Sequence, residues 1–236
     1  MTRFEPSVCG GLRIALANVE VMLRWSGALW LERENTLVVA DLHFEKGSSY
    51  AARFGQMLPP YDTRETLMKL AAMIDHYNPE TVIALGDSLH DPDGAARMDR
   101  SDVESLHMLQ EDRDWIWITG NHDPKIDRTL AGYVLPEIVV EGIALRHEPR
   151  PGTVTHEIAG HFHPAARLVM RGTSLRRPCF VGNGLRLVMP AFGAYTGGLN
   201  ILDLAFEPLF GLDGLAVWML GHEGLYPVAP RLLRDD

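Results

Sequence analysis

Hydrophobic positions along the chain switch between strand and helix periods, and those switches mark its elements. Residues 12–16 (LRIAL) and 19–24 (VEVMLR) read as short strands. Residues 28–32 and 36–40 predict a hairpin around Arg33, Glu34 and Asn35. Leu37 to Ala40 is unbroken apolar, the pattern of a strand buried on both faces. It stops at Asp41. A helix start follows at Asp62, with Glu65 three positions on, and Leu67, Leu70, Ala71 and Ile74 recur at helical spacing. Pro79 and Glu80 end that pattern. A second apolar strand covers 82–85 and stops at Gly86-Asp87. Ser101 and Glu104 repeat the capping signature before Val103, Leu106 and Leu109, and the helix is expected to end near Asp112. A third strand covers 115–119 and stops at Gly120-Asn121-His122-Asp123.

Strands and helices alternating in this way imply parallel strands with helical crossovers, whose ligands bind outside the carboxyl ends of the strands. The second half is strand-rich. Residues 138–140 and 143–146 read as a hairpin across Glu141-Gly142, ending at His147. Residues 154–159 lead into Gly160-His161-Phe162-His163, and further strands are predicted at 167–170, 178–181, 185–189 and 199–202. A mixed second sheet follows from this. Residues 207–236, with four glycines and three prolines, read as a weakly regular tail. No internal repeat or linker interrupts the 236 residues, which are expected to form one domain, 1–236.

Composition narrows the class. The hydrophobic fraction of 46% is ordinary for a globular chain. There is no apolar run long enough for a membrane helix. Glu5 and Pro6 stand where a secretory leader needs apolar residues. Cys9 and Cys179 are too few for a disulfide framework and read as free thiols, so a cytoplasmic protein is expected. The net charge of −9 argues against a protein that coats nucleic acid by charge alone. Two bound divalent ions would nevertheless put about +4 where a phosphate could sit.

The strand ends carry the candidate chemistry. Asp41 and His43 are two residues apart and can reach one ion. Asp87, after Gly86, is a carboxylate able to bridge two ions. Asn121 offers an amide oxygen, and His161 and His163 repeat the two-residue spacing. With His147 the donors balance: Asp41, His43, Asp87 and His163 about one ion; Asp87, Asn121, His147 and His161 about the other. His122, beside Asn121, is better placed to meet substrate, with Asp123 orienting its imidazole or capping the turn at Pro124. Five of the ten histidines fall in these clusters. His90 and Arg146 are expected to line the site or touch substrate. Asp91 and Asp93 compete as ligands, and His156 rivals His147. Nitrogen and oxygen donors without thiolate suit Mn²⁺, Fe²⁺, Zn²⁺ or Co²⁺.

Taken in order, D-x-H, G-D, G-N-H-D, H and G-H-x-H over residues 41–163 resemble the calcineurin-like metallophosphoesterase superfamily. The resemblance implies an α/β fold, a four-layer α/β/β/α sandwich of two mixed sheets. It also implies the ligand sets above, with Asp87 as bridge and His122 as catalytic imidazole. The implied reaction is phosphodiester hydrolysis by a metal-bridging hydroxide, with two Mn²⁺ ions as first choice. The segments ADLHFEKG, LGDSLHD, GNHDP, LRHEP and GHFHP, and Tyr195-Thr196-Gly197-Gly198, look like the bacterial DNA ligase-associated metallophosphoesterases. That likeness implies a DNA-repair nuclease working alongside a DNA ligase, a helicase and an exonuclease. Many superfamily members carry an acid or Asn three residues after the bridging Asp, where this chain has His90. Arg167, Arg171, Arg176 and Arg177, with Arg146 and Arg150, offer a local basic patch for a phosphodiester such as DNA. A phosphomonoesterase or nucleotide hydrolase would use the same metals, and a scaffold without catalysis would have no use for His122. Residues 193–195 and the tail around Trp218 and Tyr226 are candidate homodimer contacts, with burial in the core as the alternative.

Overall fold

The computed structural model of the protein describes residues 4–6, 10–152, 154–170, 172–210 and 214–236. Cys9 and Arg171 lie outside them. The first sheet runs in sequence order: β1 (Phe4–Pro6), β2 (Leu12–Leu16), β3 (Val19–Leu23), β4 (Leu29–Leu31), β5 (Thr36–Val39), β6 (Thr81–Leu85), β7 (Asp114–Ile118) and β8 (Tyr133–Leu135). It is an antiparallel meander as far as β5 and parallel from β5 to β8. Helices α1 (Lys46–Phe54) and α2 (Asp62–Tyr77) join β5 to β6, and α3 (Gly94–Arg97) and α4 (Arg100–Gln110) join β6 to β7.

The apolar runs explain the layering. Leu37, Val39, Val82, Ala84, Trp115 and Trp117 face the helices and pack with Leu67, Leu70, Ile74 and Leu106. Their neighbours Val38, Ala40, Ile83, Leu85 and Ile118 face the other way, into a core shared with the second sheet. Alternate residues point to opposite faces, so a strand covered on both must be apolar throughout. Each fully buried Val or Leu contributes roughly 1.5–3 kcal/mol. Burial on both faces therefore pins the strands, and with them the loops at their carboxyl ends.

The second sheet is also mixed: β9 (Glu137–Val140), β10 (Ile143–Arg146), β11 (Glu157–Ala159), β12 (Pro164–Met170), β13 (Thr173–Gly182), β14 (Arg186–Val188), β15 (Leu199–Asn200), β16 (Ala216–Leu220) and β17 (Leu225–Val228). Its order is β15-β12-β13-β14-β11-β10-β9, with β16 on β13 and β17 on β16. The β9–β10 hairpin turns at Glu141 and Gly142, both at positive φ, as a two-residue turn requires. The expected architecture is present. Over the outer face of the second sheet, the layer among the described residues is thin. There Phe206, in the 3-10 turn Leu204–Phe206, packs with Leu209, Phe210 and Leu233 on Ala166, Val181 and Val217.

Three local expectations change. Asp62 is the first residue of α2 rather than its cap, and its carboxylate accepts from the Gly47 amide at 3.0 Å. Helix α4 starts at Arg100, so Ser101 lies inside it. The tail is not irregular: β16 and β17 form a hairpin, and Trp218 is buried between the sheets, which makes it core rather than dimer contact. No helix among the described residues is long and apolar enough to cross a membrane.

Candidate metal centre

The loops after β5, β6, β7, β10 and β11 converge at one end of the two sheets. Asp41, His43, Asp87, His161 and His163 all take left-handed backbone angles, with φ between 45° and 72°. Such angles cost a non-glycine residue of order 1–3 kcal/mol each and cluster where function holds them. Two neighbouring positions have no room for a side chain. A Cβ on Gly120 would lie 2.2 Å from Asp87 Oδ1, and one on Gly160 would lie 2.5 Å from Asp41 Oδ2. These glycines let the backbone approach the carboxylates.

Besides a cluster of His43, His90 and His122, two groups of potential ligands form. In the first, His43 Nε2 and His163 Nε2 are 3.1 Å apart, and Asp41 Oδ1 is 3.2 Å from His163 Nε2. In the second, His147 Nε2 lies 3.3 Å from Asp87 Oδ2, 2.9 Å from Asn121 Oδ1 and 3.1 Å from His161 Nδ1. His147 Nδ1 sits 3.0 Å from the Leu85 carbonyl and donates to it, which leaves Nε2 for the ligand point. The Asp87 carboxylate contacts the second group directly. Its other oxygen accepts from the His122 amide at 2.8 Å, and its charge acts on both His43 and His147.

The electrostatics fit a cation. Burial, then His163, drives His43 down to about 2, so its imidazole is neutral. Burial opposes charge on His147 as well, but Asp87 and Asp41 outweigh it and hold it at about 9. Burial raises Asp87, and His147, the His122 amide and His43 more than reverse this, to about 2. Asp41 and Asp87 are buried, with no Arg or Lys ion-pair partner among the described residues. Buried carboxylates faced by imidazoles are the donor set a divalent ion satisfies.

His122 belongs to neither of these two groups but clusters with His43 and His90, its ring centroid 5.2 Å from that of His43. Its side chain is 40% exposed, and Nε2 is 3.9 Å from Asp87 Oδ2. His122 Nδ1 is 2.7 Å from the backbone carbonyl of His90. The expectation that Asp123 orients this ring gives way to that contact. The Asp123 carboxylate instead accepts from the amides of Asp87, Ser88, Leu89 and Gly120 at 2.6–3.0 Å. Burial nonetheless pushes its pKa up to about 6.

His90 stands beside His122 and His43. Its ring stacks on His122 with centroids 5.1 Å apart, and its Nδ1 is 3.2 Å from His43 Nδ1. Burial, then Lys46 and His122, lower it to about 4. Arg146 does not line the site: it is paired with Glu137 at 2.9 Å and Glu157 at 2.6 Å, only 11% exposed. Asp91 is taken up by Arg97 at 2.7 Å, and the Asp93 amide caps it. His156 precedes β11, at the opposite end of that strand from His161. Of the arginine patch, Arg176 holds Asp236, Arg167 holds the Asp235 carbonyl and Arg150 holds Glu137. The sequence reading missed Lys46 and Tyr50 of α1, which stand beside His90. Their spacing of four is helical, but the buried residues of that helix are Gly47 and Ser49, so no apolar stripe announces it.

A family model described as calcineurin-like phosphoesterase matches residues 35–170, which hold every ligand candidate. Among solved structures, the crystal structure of Pseudomonas putida nuclease MPE is similar, with a TM-score of 0.72 and 29% identity, covering 96% of this chain and 100% of that one. A phosphoesterase from E. coli, Yfce, aligns with a TM-score of 0.42 and 15% identity over 82% of this chain and 98% of its own. No curated protein sequence matches.

Proposed function

The chain belongs to the calcineurin-like phosphoesterase family, and on that premise we propose that it is a two-metal phosphodiesterase that cleaves nucleic acid, DNA first. One observation carries the reading: two groups of potential ligands lie side by side, with Asp41, His43, Asp87 and His147 buried and the Asp87 charge acting on His43 of one and His147 of the other, and a partly exposed imidazole stands at their rim. The likeness to a nuclease over nearly the full length of both chains supports the choice of substrate.

Asp41, His43, Asp87 and His163 would hold one ion, and Asp87, Asn121, His147 and His161 the other. When bound, two such ions supply Lewis acidity toward phosphate and keep attacking and leaving oxygens in line. The chain's own contribution lies at His122. Its Nδ1–H is held by the His90 carbonyl, so Nε2 is left without that bond, 3.9 Å from Asp87 Oδ2. Protonated there, it donates a hydrogen bond to a phosphate oxygen or a proton to the leaving oxygen. The nitrogen–oxygen set suits Mn²⁺, Fe²⁺, Zn²⁺ or Co²⁺; the family resemblance makes Mn²⁺ the first choice, and the flanking motifs support a setting in DNA repair alongside a ligase, a helicase and an exonuclease.

A panel of aryl phosphodiester, aryl phosphomonoester, cyclic nucleotide and DNA, assayed with Mn²⁺, Fe²⁺, Co²⁺, Ni²⁺ and Zn²⁺, tests the reading. Turnover of the diester and of DNA with Mn²⁺ is expected. Inactivity with every metal would sink the enzymatic reading, and turnover of the monoester alone would move it to a phosphatase.

A further inference from the structure

A row of rings leads out of the site along α1. His122 stacks on His90 at 5.1 Å and 26°; His90 meets Tyr50 at 5.7 Å and 38°; Tyr50 meets Phe54 at 5.5 Å. Tyr50 and Phe54 are one helical turn apart and share a face. Neither belongs to a hydrophobic core of the described residues, and Phe54 is 66% exposed. Other rings are exposed too, Tyr61, Tyr133 and Tyr226 among them, but Tyr50 and Phe54 continue a line that starts at the candidate catalytic imidazole.

Cations flank the row. Lys46 Nζ stands 5.9 Å from the Tyr50 ring and forms no ion pair among the described residues. Arg53, on the same helix, is more than half exposed and reaches Asp91 only at 3.7 Å. In a chain of net charge −9, this edge pairs aromatic faces with positive charge. That combination holds unpaired nucleotides: bases stack on rings, phosphates meet Lys and Arg, and the order of bases matters little.

We propose that the face of α1 bearing Lys46, Tyr50, Arg53 and Phe54 is a base-stacking subsite. It seats the nucleotides that flank the scissile phosphodiester, with bases on Tyr50 and Phe54 and their phosphates against Lys46 and Arg53. The subsite rests on the nuclease reading above. It adds that the enzyme recognises bases as well as phosphates, although it makes no hydrogen-bond readout of their identity.

The test compares an oligothymidine strand, an abasic strand of equal length and an aryl phosphodiester, in wild type, Tyr50→Ala and Phe54→Ala. Wild type is expected to prefer the thymidine strand over the abasic strand in kcat/KM. Phe54→Ala and Tyr50→Ala should each cut that preference by about fivefold or more, the low end of a base–ring stack. Because the preference is a ratio within one preparation, loss of folded enzyme cancels. Lys46→Met should also make the salt slope of log KM for the strand shallower by about 0.7, one phosphate contact. An equal preference in wild type and both ring variants overturns the subsite, as does a wild type indifferent to bases. A wild type that hydrolyses the aryl diester but neither strand defeats the nuclease reading itself. Diester and strand turnover with an unchanged base preference defeats the subsite alone.

Discussion

His122 Nδ1 lies 2.7 Å from the backbone carbonyl oxygen of His90, so the ring at the rim of the site is held by main chain rather than by a carboxylate. A carbonyl accepts and cannot take a full proton, so the bond fixes the tautomer and leaves Nε2 to act on substrate. His122→Ala should keep both metal ions, since no ligand is removed, and lose roughly 10²- to 10⁴-fold in turnover. Metal content by elemental analysis, measured beside kcat, checks this. A variant as fast as wild type would remove His122 from the reaction.

Asp123 should behave in the opposite way. Its two oxygens accept from four amides, three of them in the turn Asp87-Ser88-Leu89 that carries the proposed bridging carboxylate. Asp123→Ala leaves those buried donors without an acceptor, at roughly 1–3 kcal/mol for each one that stays dry. A lower melting temperature and loss of both ions are expected together. A stable, fully loaded variant that had lost only turnover would return Asp123 to a role in catalysis.

The contrast between His122 and Asp123 shows where the sequence is legible. The parallel strands announce themselves because Leu37 to Ala40 and Val82 to Leu85 must be apolar on both faces, and each run stops at a carboxylate. Proximity of the ligand loops then follows from topology. Side-chain partners do not: Asp123 and Arg146 sit beside candidate ligands in sequence, yet their polar atoms turn to amides and to Glu137 and Glu157. Helix α1 was hidden because it buries Gly47 and Ser49. The β16–β17 hairpin was hidden by Gly221, Gly224 and Pro227. The glycines flank its turn, and the proline is tolerated because β17 pairs only with β16, at the sheet edge.

Glu157 should matter to a site it does not touch. It is fully buried between Arg146 Nη1 and Arg186 Nε, each at 2.6 Å, and accepts the Arg150 amide at 3.1 Å. Arg186 in turn donates to the carbonyls of Arg150, Gly152 and Leu209. This network fastens the segment that follows His147. Glu157→Gln leaves the buried Arg186 guanidinium without a counter-charge, while Arg146 keeps Glu137, a loss of roughly 3–5 kcal/mol. Urea denaturation should show it, with weaker binding of the ion assigned to His147. A change below about 1 kcal/mol would mean that the arginines find water or another partner.

Lys69 gives the fold a pH dependence of its own. Its Nζ donates to the Phe192 carbonyl at 2.9 Å and lies 4.0 Å from that ring. The Phe192 and Gly193 amides bond to the carbonyls of Ala40 and Asp41, so the lysine ties α2 to the turn beneath the first ligand. Burial lowers its pKa from the ordinary 10.5 to about 8. Below about pH 8 the amine is charged in both folded and unfolded chains, and the folded state bears the full cost of burying that charge. Between about 8 and 10.5 the unfolded chain holds more protons, so stability from this group rises with pH. The gain is complete near 10.5 and is at most about 3 kcal/mol. Lys69→Met removes the titration, while loss of its hydrogen bond is a constant offset. The stability of wild type minus that of the variant, from urea denaturation at pH 7 and pH 10, should therefore increase. A flat or falling difference would show that the ammonium is solvated in the folded protein.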